Sequence, residues 1–340
     1  MDLTAGFFYL AHALSNAFLS LGSVFSATSL FCALCAAVAI LVVQRRRRGR
    51  PIRWRALVRA LFPKHIWSSR SHQADIGFLF FGIFLYGVLF GWTALSYQFL
   101  SNVMIDQLIA TFGPVSPTTL PGWLSRSIMT AVVFLAFELG YWFHHYLSHR
   151  IPFMWEFHKV HHTAEVLTPV TIFRVHPLDT VVYYNILAIS MGIANGAMCY
   201  AFGETVYQFT ITDKNLLLVI FIHAYVHLQH THLWISFRGM VGRVFLSPAH
   251  HQVHHSTNPA HFNKNLGNCL AVWDWVFGTL YIPTKKREKL TFGVVDDAVT
   301  DPHTFREGMV MPVYRAAAHV GRMVGKPAET PPVGESATTR

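Results

Sequence analysis

Fifteen of the 21 histidines in this 340-residue chain fall between His144 and His255, and eight of them form three tight clusters. The first is His145-x3-His149, the second His158-x2-His161-His162, and the third His251-x2-His254-His255. On a helix, side chains three and four residues apart share a face, so each cluster can aim its imidazoles at one place. Imidazole suits iron, zinc, copper and nickel, so ligand type alone does not choose the metal. Eight such rings are enough to hold two metal ions and still leave positions open for a small molecule. Cysteine is absent from the clusters, which argues against a structural zinc site. The scarcity of carboxylates in them argues against the Glu-x-x-His type of di-iron bundle.

Further histidines stand within reach of such a site. His176 lies in Arg174-Val-His-Pro-Leu-Asp179, just after the second cluster. His230 and His232 emerge from an apolar segment, with His227 and His223 one and two turns deeper. Ionisable residues inside a membrane segment point to function by default. His144 and His250 adjoin cluster residues on a different helix face, although His144 is also spaced to pair with His149. Metal-bound imidazoles usually donate their other N–H to a carboxylate or carbonyl. The few nearby acids, Glu138, Glu156, Asp179 and Asp274, are the candidates for that role, and Glu138 sits two helical turns before His145 on the same face. His12, His65, His72, His303 and His319 are isolated and read as interfacial or hydrogen-bonded residues.

The elements that must position these rings are membrane helices. The chain is 52% hydrophobic and 13% charged, against about 25% charged for an average soluble domain. The expected fold is an all-α integral membrane protein with four to five transmembrane helices and a cytoplasmic, histidine-rich helical cap holding a di-metal site. Apolar runs at 23–43, 75–96, 127–143, 181–202 and 215–228 are the candidate spans, judged against the roughly 20 residues a bilayer requires. The fifth is short, so the last pair is also readable as a partly buried hairpin. Gly77, Gly82, Gly87 and Gly91 in the second run read as marks of close helix contact.

Ten Lys and Arg between positions 45 and 70 follow the first run. Charge after the apolar run, rather than before it, is unlike a secretory signal peptide. It also places the arginines in the cytoplasm. The loop at 113–122 then lies outside, and five crossings return every histidine cluster to the arginine-rich side. The net charge of +10 reads as a membrane-flanking segment attracted to anionic headgroups. Nucleic acid is not expected, because no recognition module accompanies it. Cys32, Cys35, Cys199 and Cys269 read as small buried hydrophobes. The chain divides into an N-terminal membrane region at 1–125, a catalytic domain at 126–285, and a polar tail at 286–340, with 321–340 expected to be disordered.

Six blocks now stand in order: YWFHHYLSHR (141–150), WEFHKVHHT (155–163), FRVHPLD (173–179), LQHTHLW (228–234), SPAHHQVHHS (247–256) and NLGNCLAVWDWVFGTLYIP (265–283). Over about 138–283 the chain resembles the fatty acid hydroxylase/sterol desaturase superfamily of membrane-bound oxygenases. The resemblance implies that His145, His149, His158, His161, His162, His251, His254 and His255 are metal ligands. His230 and His232 fall at the family's additional histidine pair, where His232 is taken as a ligand, and His176 matches its HP element. It further implies two iron ions, O2 as co-substrate, and hydroxylation or desaturation of a C–H bond in a lipid such as a sterol or fatty acyl chain. Such a bond has no acidic proton, so the metal must supply the hard step.

Two external electrons are then needed. The chain shows neither a GxGxxG dinucleotide fingerprint nor a fused haem domain. A separate donor is expected, a ferredoxin or a cytochrome b5-like protein with its reductase, docking on the basic cytoplasmic face. The rival readings are a zinc-dependent membrane lipid hydrolase and a metal-ion transporter. The hydrolase would need neither O2 nor reductant. The transporter leaves unexplained why the triplets lie outside the spans.

Overall fold

The computed structural model describes residues 3–296 and 298–325. Four helical runs are long and apolar enough to cross a membrane: Ala27–Arg47, Arg70–Phe112, Gly122–Arg150 and Pro177–Phe202. Together with the near-absence of strand, they make the chain an all-α integral membrane protein. The fifth apolar segment, Leu216–Gln229, is interrupted by a π-helical turn at Ile222–Val226. At 1.5 Å per residue it reaches only about 21 Å, short of the roughly 30 Å hydrocarbon core. It follows a small hairpin that pairs Thr210–Ile211 with Lys214–Asn215.

The second run extends well past the 75–96 read from hydropathy. It breaks near 91–96 and restarts at Tyr97, where the Ser96 hydroxyl accepts the Phe99 N–H. A broken backbone in an apolar layer must find partners for its freed groups. Asn185 of the neighbouring span supplies them, accepting from Leu95 N at 2.9 Å and donating to Thr93 O at 3.1 Å.

Close helix contact comes from other glycines than those expected. Gly77, Gly82, Gly87 and Gly91 face open space. By contrast, a Cβ on Gly140 would lie 2.4 Å from Ser190 Oγ, and one on Gly196 would lie 2.5 Å from the Ser101 carbonyl. Gly192 and Gly196 form a small-xxx-small pair that lets the backbones of Pro177–Phe202 and Tyr97–Phe112 approach. Cys199 and Cys269 are buried as expected, whereas Cys32 and Cys35 are exposed on the surface of Ala27–Arg47.

The 29-residue helix Gly122–Arg150 sets the distance between the two ends of the bundle. The loop at 113–121 sits at its N-terminal end, where Thr118 N bonds to Phe202 O. His144, His145 and His149 sit at the other end. There two short helices complete the cap, Pro152–His162 and Pro248–His254, each begun by a proline in its first turn. Proline is suited to that position because its N–H would be unpaired anyway.

The polar C-terminal stretch is more ordered than its composition indicates. Helix Met311–Met323 packs on Pro152–His162 through charge. Lys159 Nζ lies 2.6 Å from Glu156 and 2.7 Å from Asp296, and His319 lies 3.4 Å from Glu156. Of the segment expected to be disordered, Gly321–Met323 is helical and 326–340 lies outside the described residues.

Candidate metal centre

Nine histidines gather at the capped end in two adjoining groups. His145, His149, His158, His162 and His254 form one, and His161, His230, His251 and His255 form the other. Within each group, one ligand atom per residue lies within 4.8 Å of all the others. The groups share a boundary: the rings of His162 and His255 are 4.7 Å apart and those of His161 and His162 5.7 Å.

Each HxxHH triplet is divided between the groups, where a single shared face was expected. Residues 158 and 162, four apart, differ by only about 40° around a helix, whereas 161 is roughly 100° from 162. His158 and His162 therefore turn to the five-histidine group and His161 to the four-histidine group. In the third cluster His254 joins the first group, and His251 and His255 join the second.

Three outer nitrogens of the five-histidine group are held. His145 Nδ1 donates to Leu266 O at 2.7 Å, and His254 Nδ1 donates to Lys264 O at 2.9 Å. His158 Nδ1 donates to Asp179 Oδ2 at 3.1 Å, while Asp179 Oδ1 takes His144 Nε2 at 3.1 Å. That contact separates the two adjacent histidines: His145 enters the group and His144 leans on its carboxylate. Glu138 and Asp274 act one step further out, and neither touches an imidazole of the groups. Glu138 accepts from Asn268 Nδ2, Cys269 N and Leu270 N, and Asp274 from Leu266 N and Gly267 N. Both fix the 264–270 loop whose carbonyls orient His145 and His254. Those carbonyls were not legible in the sequence, because a backbone acceptor leaves no residue-type signal.

Other expected participants lie elsewhere. His232 was read as a ligand, but its Nε2 donates to Ala60 O at 2.6 Å, outside both groups. The Thr231 hydroxyl accepts the Leu233 N–H and donates to Leu228 O. That local turn separates the directions of residues 230 and 232, and His230 enters the group instead. His176 caps the helix that follows it and bonds to Met309 O. His227 and His223 bond to Ser29 and Thr28. His250 pairs with Ser247 in a capping box, and Glu156 pairs with Lys159. Arg174, fully buried, was not singled out for a role. It bonds to Val160 O and Thr163 Oγ1 at the end of the first triplet, and to Asp75 and Pro302 O. It thereby ties that helix end to a span and to the C-terminal stretch.

The donor set fits a metal. Five Nε2 atoms, those of His145, His149, His158, His162 and His254, are buried with no hydrogen-bond partner. In the other group the Nε2 atoms crowd one another, His251 to His230 at 2.8 Å, His255 to His251 at 3.1 Å and His230 to His161 at 3.2 Å. Imidazole–metal bonds of about 2.1 Å, as for zinc, put neighbouring ligand atoms roughly 3 Å apart. In the five-histidine group the unpaired nitrogens are the inward-facing Nε2 atoms, whereas in the four-histidine group they are the outer Nδ1 atoms. At about 1–3 kcal/mol apiece, the five Nε2 atoms would together cost an amount comparable to the roughly 5–15 kcal/mol that stabilises a typical domain. A cation at the five-histidine centre removes most of that cost, and one at the four-histidine centre would replace the mutual crowding of its Nε2 atoms with bonds.

Burial, reinforced by neighbouring imidazoles, holds His161, His162, His251 and His255 well below the ordinary imidazole range. His230 and His254 are pushed down to about 3. All six are therefore neutral near pH 7, with lone pairs available. Because the folded values lie below the unfolded value, the unfolded chain binds more protons under acid conditions. The resulting stability is intact above about pH 6.5 and falls towards pH 3, by about 1.4 kcal/mol per pH unit per ring. The metal-free protein in detergent should keep its thermal midpoint between about pH 8 and 7 and lose it steeply below about pH 6. A midpoint unchanged at about pH 5 would show that these rings are not buried neutral.

The class defined by the fold and the site is a membrane protein whose apolar spans are capped by two adjoining all-histidine groups, each fit for a metal ion. Residues 130–279 match the fatty acid hydroxylase family. It is 27% identical over 166 residues to alkylglycerol monooxygenase of Danio rerio, covering 48% of this chain and 32% of that protein. It is 29% identical over 150 residues to ornithine lipid hydroxylase OlsE of Rhizobium tropici, covering 44% and 40%. It is 26% identical over 179 residues to Delta(7)-sterol-C5(6)-desaturase of Nicotiana tabacum, covering 49% and 55%. The chain thus aligns with between about a third and a half of the length of these relatives. No solved structure matches it.

Proposed function

We propose that the chain is a membrane-bound non-haem di-iron oxygenase that hydroxylates or desaturates a C–H bond of a lipid, using O2 and two external electrons. The observation that carries this reading is the contiguous pair of five- and four-histidine groups at the end of apolar spans, inside the matched domain. Iron bound at both would supply the oxygen activation that an unactivated C–H bond demands. His145, His149, His158, His162 and His254 would hold one ion, and His161, His230, His251 and His255 the other. The chain's part is to keep these rings neutral, to aim them through Asp179, Leu266 O and Lys264 O, and to exclude bulk water by burying them.

The relatives named above act on an alkylglycerol, an ornithine lipid and a sterol, all with extended apolar bodies. A lipid entering from the bilayer is the substrate class this supports. The arginine-rich end of the first span faces the cytoplasm by the positive-inside rule, which puts the histidine cap on that side. A catalytic zinc site keeps about three protein ligands and an open position for water. Five and four neutral imidazoles exceed that, which disfavours a hydrolase. The same burial disfavours a transport path.

Electrons come from a separate donor, a ferredoxin or cytochrome b5-like protein. Purified chain with NADH alone should therefore be inactive, and a reduced donor should restore turnover. Activity on NADH alone would rule out the external donor. The reaction itself is tested with 18O2, reduced donor and a panel of lipids. Label in an alcohol product identifies hydroxylation, and an unlabelled new double bond identifies desaturation. Product formed equally well without O2 would refute the proposal.

A further inference from the structure

Outside the histidine groups, a pocket of about 160 Å3 opens where the arginine-rich end of Ala27–Arg47 meets the short helix Trp54–Leu61. Arg45, Arg48, Arg50, Gln44 and Ala60 line it, with two leucines. Its walls are fixed. Arg45 Nε and Nη2 both donate to Pro51 O, at 3.0 and 2.9 Å. Arg48 N and Arg50 N both bond to Arg45 O, and Gly49 takes the positive φ of 63° that the reversal needs. Ala60 is held by the 2.6 Å bond from His232.

The charge of this region is not balanced from within. No Asp or Glu occurs between Asp2 and Asp75. Of the ten Lys and Arg at 45–70, Arg70 alone forms an ion pair among the described residues, with Asp301. Flanking this stretch of the chain, Ile52, Trp54 and Phe62 are 44%, 70% and 47% exposed, while Leu57 and Leu61 turn into the protein. A site for a free anion in water has no use for exposed apolar side chains beside it. An amphipathic helix lying in the headgroup layer does, with tryptophan at the interface and basic side chains beside it. Guanidinium groups bind phosphate oxygens through paired, charge-assisted hydrogen bonds.

We propose that this pocket binds the phosphate of an anionic phospholipid from the adjoining leaflet, seating Trp54–Leu61 against the bilayer. General attraction of basic segments to acidic membranes would draw equally on all the arginines. The pocket draws on Arg45, Arg48 and Arg50, and leaves Arg46, Arg47 and Arg53 aside. The test is the thermal midpoint of the full-length protein in detergent with added dioctanoyl phosphatidylglycerol, dioctanoyl phosphatidylcholine or inorganic phosphate. The anionic phosphatidylglycerol, and not the zwitterionic phosphatidylcholine, should raise the midpoint of wild type by several degrees, since a ligand of the folded state stabilises it. The triple variant Arg45→Gln/Arg48→Gln/Arg50→Gln should lose that shift, and Arg46→Gln/Arg47→Gln/Arg53→Gln should keep it. Because Arg45 also holds the turn, Arg48→Gln alone provides a milder variant, in which the shift should shrink. Equal shifts in the two triple variants, or full retention in Arg48→Gln, would reduce the pocket to bulk charge. An equal effect of inorganic phosphate would make it a free-anion site, and no shift from either lipid, or equal shifts from both, would overturn the proposal.

Discussion

Asp179→Ala should weaken metal binding at the five-histidine group by about 10- to 100-fold, the usual cost of losing the partner that orients a ligating imidazole. One buried carboxylate holds both His158 Nδ1 and His144 Nε2, each at 3.1 Å. Without it His158 is free to rotate, and two buried rings lose their acceptor at roughly 1–3 kcal/mol each. Competition against a chromophoric chelator measures the affinity directly. Asp179→Asn, which keeps the shape and one acceptor oxygen, should fall between the alanine variant and wild type. The four-histidine group touches Asp179 through no hydrogen bond, so its affinity should change little. Unchanged binding at both groups in the alanine variant would show that Asp179 serves packing alone.

Metal should also leave the two groups at different rates, the four-histidine group emptying first. In the five-histidine group three outer N–H groups are anchored, by Leu266 O, Lys264 O and Asp179. In the four-histidine group the Nδ1 atoms of His161, His230, His251 and His255 are all buried without a partner. Fewer ligands and unanchored rings both point to weaker binding, by about 10- to 100-fold if the anchoring term dominates. Stopped-flow chelation of the loaded protein should show two phases. In His230→Ala the fast phase should be smaller or faster, with the slow phase unchanged. A single phase accounting for all the metal would contradict the asymmetry.

Much of this site can be read from the sequence because side-chain spacing on a helix is rigid. HxxxH and the two HxxHH triplets identify eight of the nine gathered histidines. Their allocation to two groups is not legible, since it depends on how two short helices face each other across the cap. The choice between His230 and His232 turns on one hydroxyl, that of Thr231, bending the chain between them. Backbone acceptors at Leu266 and Lys264 are invisible to any reading by residue type. Hydropathy found the spans but misjudged the second, because the break near Ala94 resembles an end. Only Asn185, some 90 residues further on, completes the backbone bonding there. Glycines were misassigned for the same reason: Gly140, Gly192 and Gly196 have neighbours where a Cβ would go, and the glycines at 77–91 do not.

The central proposal, two irons held by nine histidines, is tested most directly by elemental analysis and Mössbauer spectroscopy of the full-length protein purified in detergent. The comparison is a His158→Ala/His254→Ala variant, which removes two rings from one group. Wild type should carry about two irons per chain, one for each group, with spin coupling between them. The variant should lose that coupling together with metal. Zinc as the sole metal after growth in iron-rich medium, or no bound metal at all, would contradict it.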